Sequence, residues 1–340
     1  MDQNSPSENK DLKQQQDKIN SSVLAAGSVS KKAHSGKNLG DFIFKNITRI
    51  SAFLLLVLVV MMGYMMYHQS LPAIEKFGWQ FIYNTDWDPV QESYGALPFI
   101  FGTVYSSIIA LIIALPLSVG IAVFLSEFSP KWLEGPLSML VELLAAIPSI
   151  VYGLFGMFVL APWLRKVVEP FLGEHLGFVF LFKGPPYGLG MLAAALILTV
   201  MILPIITSIS RDVLKAIPNS QREASYALGA TKWETIKIIL ADGKSGILGA
   251  TLLGLGRAIG ETMAVTMVIG NNPQISASLF EPGYTMASVI ANEFSEATSD
   301  LYLSSLIEIA FLLFILTIIL NSIARLIVWS VTRKYVMGVD

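Results

Sequence analysis

The chain has 340 residues, 54% hydrophobic and 14% charged, with a mean hydropathy of +0.61, which indicates an all-α, polytopic membrane protein. A net charge of −2 gives no reason to expect a nucleic acid partner. The absence of cysteine excludes disulfides, iron–sulfur centres and thiol catalysis, and His34, His68 and His175 are scattered without ligand spacing, so no metal site is expected.

Residues 1–40 are polar and read as a disordered cytoplasmic tail, too long and too polar to begin a cleaved signal peptide. A hydrocarbon core about 30 Å thick requires about 20 apolar residues per helix. Six runs meet that length: 42–67, 99–125, 137–162, 188–210, 246–270 and 304–329. The expected organisation is thus a tail (1–40), a first transmembrane helix with a periplasmic segment (41–98), and a core of five transmembrane helices (99–335) that includes a cytoplasmic loop (211–245). Of the 23 Lys and Arg, 18 fall on one side if the N-terminus is inside, and only Lys76, Arg165, Lys166 and Lys183 fall outside. That asymmetry predicts an N-in, C-in orientation.

The outer segment 77–94 is rich in aromatic residues, and Trp79, Trp87 and Tyr94 have the character of interface anchors. Pro116, Pro148 and Pro204 each interrupt an apolar run; they are hinge candidates around a pathway, or ordinary packing prolines. Glu142, near the cytoplasmic side of the third run, either meets headgroups and water or gates the pathway. Glu308, near the outer end of the sixth run, is expected at the interface.

The loop 211–245 predicts two or three short capped helices. Ser220 and Glu223 stand at capping-box spacing, as do Thr231 and Glu234. Gly229 suits the position just past a helix end, and a second short helix is expected to stop before Gly243. Gly243-Lys244-Ser245 has the ending of a phosphate-binding loop but lacks its first glycine, so no nucleotide site is expected in this chain.

The fifth run contains "GLGRAIGETMAV", residues 254–265. Gly246, Ala250, Gly254 and Ala258 recur every four residues, a stripe that lets membrane helices approach closely. Arg257 and Glu261 are four apart and so are expected on one helix face. Arg257 lies about 11 residues into the run, about 16 Å along a helix, and a charge at that depth costs about 2.5–3.5 kcal/mol. A mutual salt bridge that only fixes packing is one reading. The other is an anion pathway. Arginine presents a planar, permanently charged fork to a tetrahedral oxyanion, and the neighbouring glutamate keeps the anion from being trapped.

Two resemblances narrow these readings. "EASYALG", residues 223–229, resembles the EAA loop of permease subunits in ATP-binding-cassette (ABC) importers, with Ser225 in place of the second Ala and a degenerate second half. It implies that Glu223, Ala224, Ser225, Tyr226 and Gly229 belong to a helix that docks on an ATPase subunit. "GLGRAIGETMAVTMVIGN" and "ELLAAIPSIVYGLFG", residues 142–156, resemble motifs of the phosphate permease family of high-affinity phosphate importers (PstC type). This second resemblance implies a bacterial inner membrane permease of six helices working by alternating access. Its implied partners are a second homologous permease, an ABC ATPase dimer that binds ATP and Mg, a periplasmic phosphate-binding protein and the lipid bilayer. The outer segment 77–94 has, as the alternative to interface anchoring, a contact with that binding protein. The resemblance carries Arg257 and Glu261 over as the charged pair important for transport. A sister phosphate permease, a permease for another oxyanion, and a secondary transporter or channel without an ATPase are the competing readings.

Overall fold

The computed structural model describes residues 39–336; the expected tail 1–40 lies almost wholly outside them. The described residues are helical with no extended strand, and six helices are long and apolar enough to cross a membrane. The chain divides into two compact units, one ending at Met61 and one beginning at Met62.

The first unit contains the start of α1 (Leu39–Phe77), whose apolar side chains, such as Phe53, Leu55 and Leu58, are exposed. An apolar stretch whose side chains are exposed in this way suits a lipid environment.

The second unit is built around α5 (Met191–Ala216). Two-thirds of its central apolar stretch (67%) is buried, against 28% or less for the other spans. It packs against α2 (Leu97–Val123) and α7 (Lys232–Ile259). Hydroxyls join α2 to α5: Thr199 Oγ1 donates to the Ala110 carbonyl (3.3 Å), and Ser118 Oγ to the Leu203 carbonyl (3.1 Å). Pro116 and Pro204 lie inside these two helices.

The small-residue stripe of α7 is the contact with α5. A Cβ on Gly246 would sit 2.5 Å from Val213 Cγ2, and one on Gly254 would sit 2.8 Å from Ile206 Cδ1. Ala250 and Ala258 between them are buried. Gly254→Leu is therefore expected to destabilise the detergent-solubilised protein by about 1–3 kcal/mol through overpacking, read as a lower thermal unfolding midpoint. Gly249→Leu, where a Cβ meets nothing within 4 Å, is the control.

Three expectations about spans are corrected. The run 137–162 is not one helix: α3 (Lys131–Ala146) ends there, and α4 (Ser149–Phe155) begins the third span, Ser149–Leu176. Ile147 is extended (ψ 129°), because a residue before proline is driven out of the helical region. Pro148 thus marks a break between two helices, not a bend within a span. The fifth span starts at Lys232 and stops at Ile259. Gly243 does not end a short helix; it lies inside α7, and a Cβ there would press on Leu214 and Val213. The loop 211–245 accordingly holds one short helix, α6 (Asn219–Ala227), flanked by the ends of two long ones.

At the opposite end, Trp87 and Tyr94 are not interface anchors. They join Phe99, Tyr284 and Tyr302 in an aromatic cluster, with Tyr94 fully buried, while Trp79 is exposed. Glu293, on α9 (Met286–Glu293), accepts from Trp87 Nε1 (2.8 Å) and Tyr302 Oη (2.6 Å), pinning the outer segment to α9 and α10 (Asp300–Val336). Burial pushes the Tyr94 and Tyr284 hydroxyls up from their usual range. Glu308 is likewise not interfacial: it is 5% exposed within α10.

Candidate functional site

The site is assembled from the ends of α7 and α4. Helix α7 stops at Ile259 with Gly260 as its cap, and the chain resumes as one turn, α8 (Met263–Thr266). Arg257 lies in the last turn of α7 and is exposed. Glu261 lies beyond the helix end and is half-buried. The expectation that the two share a continuous helical face fails here, because Gly260 interrupts the helix between them. Among the described residues Arg257 makes no ion pair. The Glu261 carboxylate instead accepts from the Ala264 amide (3.3 Å), capping α8.

Helix α8 is seated on α4 by glycines. A Cβ on Gly153 would come within 2.6 Å of Met267 Sδ, and one on Gly156 within 2.6 Å of Val268 Cγ1. The two long motifs, far apart in sequence, therefore pack on each other. Tyr152, itself buried, donates its hydroxyl to the Leu144 carbonyl (2.7 Å), spanning the break at Pro148. The result is a guanidinium with no ion pair among the described residues, presented beside a helix break whose carboxylate is already engaged. This arrangement offers forked donors to an anion.

Glu142 is elsewhere. It projects from α3, with its side chain 60% exposed, and accepts from Arg211 at the end of α5 (3.4 Å). Arg211 also pairs with Asp212 (2.8 Å). Nearby, Lys215 pairs with Glu134, and that hydrogen-bonded ammonium holds the Glu134 carboxyl below the usual carboxylate range. The structure thus places Glu142 in a surface ion-pair group at the α6 end, apart from the Arg257–Glu261 junction.

Helix α6 presents Glu223, Ala224 and Tyr226 outward, with Leu228 almost fully exposed. Ser225 turns inward and is buried, its hydroxyl donating to the Gln221 carbonyl (2.9 Å). Ser220 and Glu223 form no capping box: α6 already begins at Asn219 and has no side-chain cap. Thr231 and Glu234 do form one, at the start of α7. Gly229 has φ +83°, and the bonds Gly229 N to Tyr226 O (2.9 Å) and Ala230 N to Ser225 O (3.0 Å) close a Schellman motif. Among the described residues no cluster of His, Cys, Asp or Glu is suited to hold a metal.

The family of binding-protein-dependent transport system inner membrane components matches residues 118–333, which include every element of this site and of α6. The chain belongs to that family. It is a multi-pass inner membrane protein and the transmembrane component of a transporter of this class. Among its relatives is a protein of Mesorhizobium japonicum named phosphate transport system permease protein PstC, 47% identical over 301 residues, covering 87% of this chain and 92% of that one. A protein of the same name from Haemophilus influenzae is 44% identical, over 85% of this chain and 93% of that one. A probable PstC from Methanocaldococcus jannaschii is 38% identical, over 82% and 91%. The crystal structure of a bacterial ABC transporter involved in the import of the acidic polysaccharide alginate shares the fold alone (TM-score 0.52, 16% identity, 83% of this chain and 98% of that one).

Arg222 is not singled out by any motif in the sequence. It bonds Glu127 and two backbone carbonyls at the end of α5. No local signal could have found it, because Glu127 is 95 positions away.

Proposed function

We propose that this chain is the permease subunit of an importer that moves inorganic phosphate across the inner membrane by alternating access, driven by ATP hydrolysed on separate subunits. The observation that carries the reading is Arg257, an exposed guanidinium with no ion pair among the described residues, at the end of the apolar second half of α7. Relatives named for phosphate transport, similar over nearly their whole length, supply the anion. Arg257 is the attractor in the path. Glu261, fixed by its bond to α8, is the counterweight that keeps phosphate from being held.

The N- and C-termini face the cytoplasm in this reading. Helix α6, with Glu223, Ala224, Tyr226 and Gly229 on its outer side, docks on the ATPase, and the exposed Leu228 is its apolar anchor. ATP with its Mg belongs to the partner ATPase dimer in this reading, which the helical setting of Gly243-Lys244-Ser245 within α7 supports. A second homologous permease completes the path opposite Arg257, and a periplasmic phosphate-binding protein delivers the anion. Pro116 and Pro204 are the points at which α2 and α5 bend as access alternates; Pro148 divides α3 from the third span. Glu142 steers the inner mouth of the path through its pairing with Arg211.

The test is reconstitution with the cognate second permease, ATPase and binding protein in liposomes. ATP-dependent uptake of labelled phosphate, competed by unlabelled phosphate and not by equimolar sulfate or molybdate, is the expected result. Uptake that proceeds without ATP, or that follows another oxyanion, would refute it.

A further inference from the structure

Where α6 meets the spans, the Arg222 side chain joins it to the ends of α2 and α5. The Arg222 guanidinium grips Glu127 with two edges, Nη2 to Oε1 (2.7 Å) and Nε to Oε2 (3.3 Å). Its remaining donors reach the Ile217 carbonyl (Nη1, 2.7 Å), the Leu214 carbonyl (Nη2, 2.9 Å) and Asn219 Oδ1 (Nη1, 3.4 Å). Leu214 and Ile217 are at the end of α5, where helix carbonyls lack partners of their own. Both charged side chains are largely buried, 16% and 10% exposed, so this is not a solvated surface pair. Glu127 belongs to a π-helical turn, Phe124–Phe128, that extends α2 beyond Val123.

The same turn is held a second time. Lys232, the first residue of α7, places its ammonium 4.0 Å from the centre of the Phe128 ring. Behind both contacts, Ala122, Leu214 and Ile239 form a small buried apolar cluster shared by α2, α5 and α7. The two ends of the α6 hairpin therefore close on one turn at the tip of α2, and Pro116 lies further along that helix.

We propose that Arg222 is a positioning residue for transport: its fork makes α6, the Phe124–Phe128 turn and the end of α5 one rigid unit, which carries ATPase-driven displacement of α6 into the spans. The inference rests on the coupling role assigned to α6 above. Lysine cannot replace the arginine, since one ammonium does not reach a carboxylate edge and two diverging carbonyls together.

The chain has no cysteine, so Ser220→Cys with Phe124→Cys accepts spin labels at those two positions only, given cysteine-free partners. In the assembled complex, pulsed EPR is expected to give the same distance between the labels in the nucleotide-free and vanadate-trapped states. With Arg222→Gln added, the distribution is expected to broaden or shift between the states. A distance that changes between states with Arg222 in place overturns the proposal. Arg222→Lys and Glu127→Gln, in the same liposomes, are expected to lower phosphate moved per ATP hydrolysed by about tenfold, with hydrolysis and complex assembly retained. The double variant is expected to be no worse than the worse single one. Uptake that falls only in step with the amount of assembled complex would make Arg222 a structural brace, and unchanged uptake would sink the idea. Failure of the unsubstituted complex to import phosphate with ATP would instead remove the proposed function, while the label distance would still decide whether the unit is rigid.

Discussion

Arg257→Gln is expected to lower ATP-driven phosphate uptake by about 100-fold, with assembly and thermal stability unchanged. The magnitude follows from losing two charge-assisted hydrogen bonds to an anion, each worth about 1.5–3 kcal/mol, less what a glutamine amide restores. The expected lack of a folding defect follows from the structure, because the guanidinium is exposed and makes no ion pair among the described residues. Arg257→Lys keeps the charge and loses the fork, so it should fall between the two. Glu261→Gln separates two roles of that side chain. The amide oxygen can still accept from the Ala264 amide and cap α8, so only the negative charge is removed. If the carboxylate is a counterweight, phosphate is held longer: maximal uptake falls while KM stays the same or drops. Normal maximal uptake by Glu261→Gln, measured in the same liposomes, would leave Glu261 as a helix cap and nothing more.

The membrane-spanning character was legible because apolar length is the strongest signal that a sequence carries. The glycine stripe of α7 was legible for a similar reason: four-residue spacing defines one helix face wherever the helix happens to end. Boundaries were not. Hydropathy is continuous across Ile147-Pro148, so α3 and α4 merged into one apparent run, although the residue before a proline is a known stopping point. The opposite error occurred at α7. Lys232, Glu234, Lys237, Asp242 and Lys244 dilute the apolar content of its first half, so hydropathy alone shows the helix only from residue 246.

The site divides in the same way. Arg257 and Glu261 stood out by charge alone, but their relation to each other depended on whether the helix continues past Gly260, which spacing does not report. Glu308 was placed at the interface by its position in the run, and only packing shows that it is buried. The ion pair of Arg222 with Glu127 and the bond of Trp87 to Glu293 join residues 95 and 206 positions apart. Each of these residues has an unremarkable neighbourhood in sequence. What decides its role is a partner supplied by the fold.

Gly229 offers a test of coupling in which backbone conformation is the only variable at the smallest step. Its φ of +83° is where an L side chain pays about 1–2 kcal/mol, and a Cβ there would meet no atom within 4 Å. Gly229→Ala therefore adds no clash within the chain; it strains the turn that carries α6 into α7. Asparagine tolerates this region better than alanine, and a β-branched residue tolerates it worse. The expected order of ATPase retained on the purified permease is Gly, then Asn, then Ala, then Val, with the loss at Ala about 5- to 30-fold in affinity if the turn must keep its docked geometry. The Schellman bonds from Gly229 and Ala230 would be the first to loosen, and with them the outward presentation of Tyr226 and Leu228. Thermal unfolding of the isolated permease should shift far less than ATPase retention does, since no core side chain is touched. Equal ATPase retention across all four residues, with uptake intact, would mean that α6 is not the docking element, and the ATP-driven reading would lose its mechanical basis.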